Sequence, residues 1–129
     1  VLPVIHPKTV LVIDDDTDTV RLYQAYLQAH RFAVRTAYSA GELRERLAES
    51  MPDLILLDVL MPSEDGWDVL EYLKSNPATA AIPIVICSVL NDPALALAMG
   101  AAEVLRKPIQ EETLISAVRR VLGEQDSSV

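Results

Sequence analysis

The sequence predicts an α/β domain: five βα units forming a doubly wound five-stranded parallel sheet with helices on both faces. Short apolar runs alternate with segments of helical period along the whole chain, the signature of repeated βα units. The first run is continuous rather than alternating, as expected for a strand buried on both faces. With 129 residues, half of them apolar, the chain has the size and material for one domain core.

The first run, Val10-Leu11-Val12-Ile13, reads as a strand and opens into an acidic stretch. Val20, Tyr23 and Leu27 then fall at helical spacing and mark a helix ending near His30. Phe32 to Thr36 reads as the second strand. Ser39-Ala40-Gly41-Glu42 is a capping box, and its helix turns Leu43 and Leu47 inward before stopping at Met51-Pro52. Leu54-Ile55-Leu56-Leu57 is the third strand. A loop from Asp58 to Gly66 leads to a helix carrying Val69, Leu70 and Leu73, which ends around Asn76-Pro77. Ile84 to Cys87 is the fourth strand. Asp92-Pro93 starts a further helix with an N-cap and a first-turn proline, and Gly100 closes it. Glu103 to Leu105 is a short strand before Lys107-Pro108. The last helix runs from about Glu111 to Leu122, acidic at its start, with Arg119 and Arg120 at its end in accord with the helix dipole. Residues 9–123 form the predicted domain, between a linker at 1–8 and a polar tail at 124–129.

Composition narrows the function. Nineteen acidic against eleven basic residues give a net charge of −8, a poor basis for binding DNA, RNA or an anionic membrane directly. Six aromatics (one Trp, four Tyr, one Phe) provide no stacking platform. Cys87 is the only cysteine, which excludes an intramolecular disulfide and a cysteine metal cage. It reads as a small buried hydrophobe. No apolar stretch approaches the roughly 20 residues of a membrane helix, and the start has no signal-peptide pattern. A cytoplasmic setting is the expectation. The chain does not begin with Met, which suggests a processed protein or a piece cut from a longer one.

Functional groups in such sheets collect at the carboxyl ends of the strands. Those ends carry Asp14 and Asp15, Asp58, Ser88 and Lys107. Like charges about 4 Å apart repel by on the order of 4 kcal/mol at an effective dielectric near 20. Three such acids therefore call for a cation, and Mg²⁺ with its preference for carboxylates, water and phosphoryl oxygen is the natural one. With Mg²⁺ and Lys107 offsetting charge, one carboxylate can attack a phosphoryl donor while Ser88 donates to the phosphoryl group. A calcium loop fails. Asp14, Asp16 and Asp18 alternate suitably, but Thr19 stands where Gly is needed and Ala25 where a bidentate Glu belongs.

Together, Val12-Ile13-Asp14-Asp15, Leu57-Asp58-Val59-Leu60-Met61-Pro62 with Asp65-Gly66, Ser88 and Lys107-Pro108 resemble the receiver domain of two-component response regulators. The resemblance covers about residues 9–123 and implies a flavodoxin-like sheet of strand order 2-1-3-4-5. It implies that Asp58 accepts phosphoryl from a phosphohistidine on a sensor histidine kinase or histidine phosphotransfer domain. Asp14, Asp15, Asp58 and the Leu60 backbone carbonyl would hold Mg²⁺, Ser88 would be the switch hydroxyl, and Lys107 the phosphoryl clamp. A cis Lys107-Pro108 bond is also implied. So is an output domain or effector protein docking on the 92–122 face, with homodimerisation left open.

Val104 stands where many receivers have a switching Tyr or Phe, which puts the usual rotamer coupling in doubt. Val89 is bulkier than the Ala often found there. Leu60 and Leu90 offer nothing to orient water, so slow self-hydrolysis is expected. His6 and His30 are expected to be solvated, Met61 to pack in its loop, and Trp67 to fix the start of its helix. The Pro93–Met99 segment, with Leu95 and Met99 on one face, leaves two accounts open: a short helix seated in its groove, or an apolar patch for a partner. Rival functions are a phosphohydrolase of the haloacid dehalogenase type using Asp14, a flavin or nucleotide binder, and a phosphorylation-independent pseudo-receiver. The acidic first loop would repel the phosphate a nucleotide binder must cradle.

Overall fold

The computed structural model describes residues 6–61, 64–89 and 92–124, apart from the side chain of residue 64. Its main sheet comprises β1 (Thr9–Ile13), β2 (Ala33–Ala37), β3 (Leu54–Leu57), β6 (Ile84–Ser88) and β7 (Glu103–Arg106). Their spatial order is β2-β1-β3-β6-β7, all pairs parallel. Counting only these five strands in chain order, this is the expected 2-1-3-4-5. The remaining two strands, β4 (Leu60–Met61) and β5 (Glu64–Asp65), form a separate antiparallel ladder inside the segment expected to be plain loop. The helices are α1 (Thr17–Ala29), α2 (Ala40–Glu49), α3 (Gly66–Ser75), α4 (Pro93–Ala98) and α5 (Glu111–Leu122).

The continuous apolar strands split their side chains between two cores, because successive residues point to opposite faces. On one face, Leu11, Ile13, Ile55, Leu57, Ile84 and Ile86 pack with residues of α2, α3 and α4. On the other, Val10, Val12, Leu54, Leu56, Val85 and Cys87 pack with α1 and α5. Val20, Tyr23 and Leu27 are the buried stripe of α1, as their spacing predicts. Cys87 is buried, which pushes its thiol pKa up.

The capping box forms with a shifted second half. Ser39 Oγ accepts the Glu42 N–H at 3.1 Å, and a Glu42 carboxylate oxygen accepts the Tyr38 N–H at 3.4 Å. The second strand begins one residue later than predicted. The Phe32 N–H is already committed to the Leu27 carbonyl in the turn that closes α1, and the ladder opens at Thr9 opposite Ala33. Gly123 ends α5 in the left-handed conformation, with φ +73°.

One expectation is corrected. His30 is not simply solvated: its Nε2 lies 2.9 Å from a Glu111 oxygen, joining the C-cap of α1 to the first turn of α5. His6, by contrast, is exposed. In α4, for which two accounts stood open, the buried residue is Ala96. Leu95 and Leu97 are exposed, and Met99 is partly buried beyond the helix end. A six-residue helix presents less than two turns to the sheet. Leu90 and Pro62 lie outside the described residues.

Candidate functional site: an acid cluster bridged by one lysine

The sheet places the site. Each strand end extends its ladder by one further backbone bond. The Asp14 N–H donates to the Ala37 carbonyl at 3.2 Å, the Asp58 N–H to Ile13 at 3.0 Å, and the Lys107 N–H to Ser88 at 2.9 Å. Parallel pairing of β1 with β3, in register up to Ile13 and Leu57, therefore brings Asp14 and Asp58 side by side. Lys107 comes from the loop between β7 and α5, with a cis bond to Pro108.

Lys107 Nζ bridges the two buried acids, 2.6 Å from Asp14 Oδ2 and 3.0 Å from Asp58 Oδ2. The second oxygen of each acid is held locally. Asp14 Oδ1 accepts the Asp16 N–H at 3.0 Å, and Asp58 Oδ1 accepts the Leu60 N–H at 2.9 Å. Both are turns in which an aspartate accepts from the backbone two residues on. Asp15 is more exposed, and one oxygen from each of Asp14, Asp15 and Asp58 lies within 4.8 Å of the others. Ser88 is buried at the end of β6. All five predicted side chains thus come to one edge. The Leu60 backbone is held beside Asp58, and its exposed side chain adds no polar group.

Electrostatics follow from burial. Desolvation is the largest influence on Asp14 and raises its pKa, with the hydrogen bond from Lys107 opposing it. Burial also pulls the Lys107 ammonium down, but the hydrogen bonds it donates to Asp14 and Asp58, with the charge of both acids, outweigh it, and the net shift is upward. Three carboxylates against one ammonium leave a formal charge of −3 + 1 = −2. A hard divalent cation fits this all-oxygen donor set and its charge.

Sequence reasoning missed two supports. Gly66, the first residue of α3, is essential sterically: a Cβ there would lie 2.2 Å from Val59 Cα and 2.6 Å from its carbonyl oxygen. The Gly66 N–H donates to that same carbonyl at 3.2 Å, so α3 closes directly onto the residue after Asp58. The signal was the glycine itself, at a helix start where a side chain is usual. The second support is the packing of Asp16 with Thr19, whose hydroxyl donates to Asp16 Oδ2 at 2.6 Å. Met61 is buried in its loop, and Trp67 packs partly buried against the core, both as expected.

A family model described as the response regulator receiver domain matches residues 10–119. The chain belongs to that family. Among curated relatives, the response regulator PleD of Caulobacter vibrioides is 40% identical over 113 residues, covering 85% of this chain and 25% of PleD. The transcriptional regulatory protein GltR of Pseudomonas aeruginosa is 30% identical over 118 residues, covering 89% of this chain and 49% of GltR. The receiver domain therefore spans a quarter to a half of these relatives. Protein PilH of the same species is 29% identical, with 88% of this chain and 97% of PilH covered. Of solved structures, the chemotaxis protein CheY4 of Vibrio cholerae superposes with a TM-score of 0.83 at 26% identity, covering 90% of this chain and 99% of that one. Membership carries phosphorelay signalling as the domain's role and gives no support to the phosphohydrolase or pseudo-receiver alternatives. No helix among the described residues is long and apolar enough to cross a membrane.

Proposed function

We propose that this receiver domain takes a phosphoryl group onto Asp58 from the phosphohistidine of a sensor histidine kinase or histidine phosphotransfer domain. The observation that carries the reading is the single ammonium of Lys107 shared by Asp14 and Asp58, with Asp15 beside them. An Asp58 carboxylate oxygen attacks phosphorus, the phosphorus–nitrogen bond breaks, and its electron pair leaves on the imidazole nitrogen. Lys107 then pairs with a phosphoryl oxygen in place of the Asp58 oxygen it held. Ser88 donates its hydroxyl to another. Asp14, Asp15, one oxygen of Asp58 and the Leu60 carbonyl would hold Mg²⁺. When bound, the ion supplies positive charge opposite the transferring phosphoryl oxygens.

The altered charge at this edge biases partner binding through the 92–122 face. The partner there is an output domain or an effector protein, and the domain works in the cytoplasm. With Val104 partly buried against the α2–α4 core, there is no ring at that position to flip, so coupling runs through the Ser88 and Lys107 strand ends. Beyond self-phosphotransfer and slow dephosphorylation the domain has no catalytic task. Leu60 and Val89 are exposed and apolar, and neither can orient an attacking water.

The test is incubation with Mg²⁺ and a small acyl or amido phosphate, followed by mass spectrometry. The expected result is an adduct of about 80 Da, one phosphoryl group, on Asp58, dependent on Mg²⁺ and absent in Asp58→Asn. Label on Asp14 would overturn the assignment, and absence of any label would favour a phosphorylation-independent module. The same preparation without partners should hold its phosphoryl group well beyond seconds.

A further inference from the structure

The third consecutive acid, Asp16, has no place in the proposed ligand set, yet it is tied into it. Its backbone N–H donates to Asp14 Oδ1 at 3.0 Å, on the opposite side of that carboxylate from Lys107. Its own carboxylate faces the other way, into α1. One oxygen accepts the Thr19 hydroxyl at 2.6 Å and the other accepts the Asp18 N–H at 3.3 Å. Asp16 is the N-cap of α1, with φ −85° and ψ 109°. The hydrogen bond from Thr19 is the largest influence on its carboxyl and lowers its pKa.

These bonds form a chain. The Thr19 hydroxyl, one turn into α1, fixes the Asp16 side chain, and the helix cap fixes the Asp16 backbone. The backbone N–H then fixes which way the Asp14 carboxylate plane faces. A carboxylate free to rotate about its terminal torsion has a broad, two-fold preference, and one accepting a defined N–H does not. Carboxylate ligands are commonly oriented by such outer hydrogen bonds.

We infer that Asp16 and Thr19 are positioning residues for the Mg²⁺ site: they aim Asp14 through the Asp16 N–H, and they do so by hydrogen bonding rather than by the Asp16 charge. The inference rests on the Mg²⁺ reading above and assigns no ligand role to either residue. Hydrogen bonding and charge predict different variant series. Asparagine at position 16 keeps the cap acceptor for the helix N–H and meets the Thr19 hydroxyl oxygen with its amide NH₂, while removing the charge. Alanine removes both. Serine at position 19 keeps the hydroxyl, and valine keeps the shape without it.

The experiment is a chemical-shift titration of the full chain with MgCl₂ at 25 °C, alongside thermal unfolding of each variant. Asp16→Ala and Thr19→Val should weaken Mg²⁺ binding, the first by about fivefold, the size of effect a lost N-cap supports. Asp16→Asn and Thr19→Ser should stay within about twofold of wild type. Equal weakening in Asp16→Asn and Asp16→Ala would overturn the inference in favour of through-space charge. Lower Tm with unchanged Mg²⁺ affinity in Asp16→Ala and Thr19→Val would reduce the pair to helix capping and overturn it too. A wild-type domain that does not bind Mg²⁺ would overturn both this inference and the reading it rests on, whereas wild-type binding with equal affinity in all four variants would overturn this one alone.

Discussion

The turn that leaves β1 and the turn that leaves β3 each deliver a carboxylate to Lys107, and they differ in length. Asp14 stands two residues before Asp16, the N-cap of α1, whereas Asp58 stands seven before Asp65, the N-cap of α3. The local devices are the same. Each delivered acid accepts the N–H two residues on, and so does each cap: Asp18 donates to Asp16 at 3.3 Å and Trp67 to Asp65 at 2.9 Å. What differs is closure. The short turn runs straight into its helix cap, but the long one folds its middle into the β4–β5 ladder and seats Gly66 on the Val59 backbone. Aim is a two-residue matter, while rigidity depends on how the rest of the turn is tied down.

The strongest way to break this comparison is Gly66→Ala. The clash would be with backbone atoms of Val59, which no rotamer change relieves, so the long turn must move or unfold. A loss of about 3 kcal/mol is expected, the upper end for overpacking, read as a lower urea midpoint at unchanged slope. The short turn has no position of equal consequence. If Gly66→Ala unfolds within about 0.5 kcal/mol of wild type, the ordinary range for surface changes, backbone closure is not what holds Asp58.

Lys107→Met tests what the two turns share. It leaves two adjacent buried carboxylates without their cation, and because the lysine head is partly open to water the loss should be about 2 kcal/mol, below the range for a fully buried pair. The sign with pH is fixed. The Lys107 pKa is raised in the folded state, so its contribution is complete below its ordinary value of 10.5 and is lost as pH rises through the folded value. Urea unfolding of wild type and variant should therefore differ most near neutral pH and converge in strong alkali. A gap that persists there would mean the lysine stem, not the ion pairs, stabilises the edge.

Much of this was legible beforehand. Strand ends are easy to find when the strands are continuous apolar runs such as Leu54–Leu57, and topology then sends Asp14, Asp58, Ser88 and Lys107 to one edge whatever the details between them. The helix stripes of α1, α2 and α3 followed from spacing, and the start of α5 from its charge order. What escaped were contacts between backbones and between elements distant in sequence. Nothing in the letter Gly66 says that Val59 lies against it, and nothing in His30 or Glu111 says that 81 residues apart they meet. Helix α4 was left open because alternating Ala and Leu leave no strong period to read.

The finest contrast between the two turns is electrostatic, and Asp14→Asn exposes it. Burial is the dominant influence on Asp14 and raises its pKa above 3.8. The folded protein therefore holds a proton on Asp14 over a pH window where the unfolded chain has released it. Stability falls as pH climbs through that window, and the deficit persists above it. Asparagine removes the buried charge and keeps one acceptor, for the Asp16 N–H, while Lys107 retains its pairing with Asp58. In Mg²⁺-free buffer at pH 7 the variant should match or exceed wild type, by no more than about 1 kcal/mol. Below pH 3.8 the advantage should disappear, since Asp14 is then neutral in both states. Adding Mg²⁺ should reverse the order, because an ion that binds only the folded wild type stabilises it by mass action, and the variant has given up a ligand. A variant less stable than wild type in chelator at neutral pH would show that Lys107, rather than burial, dominates the short turn.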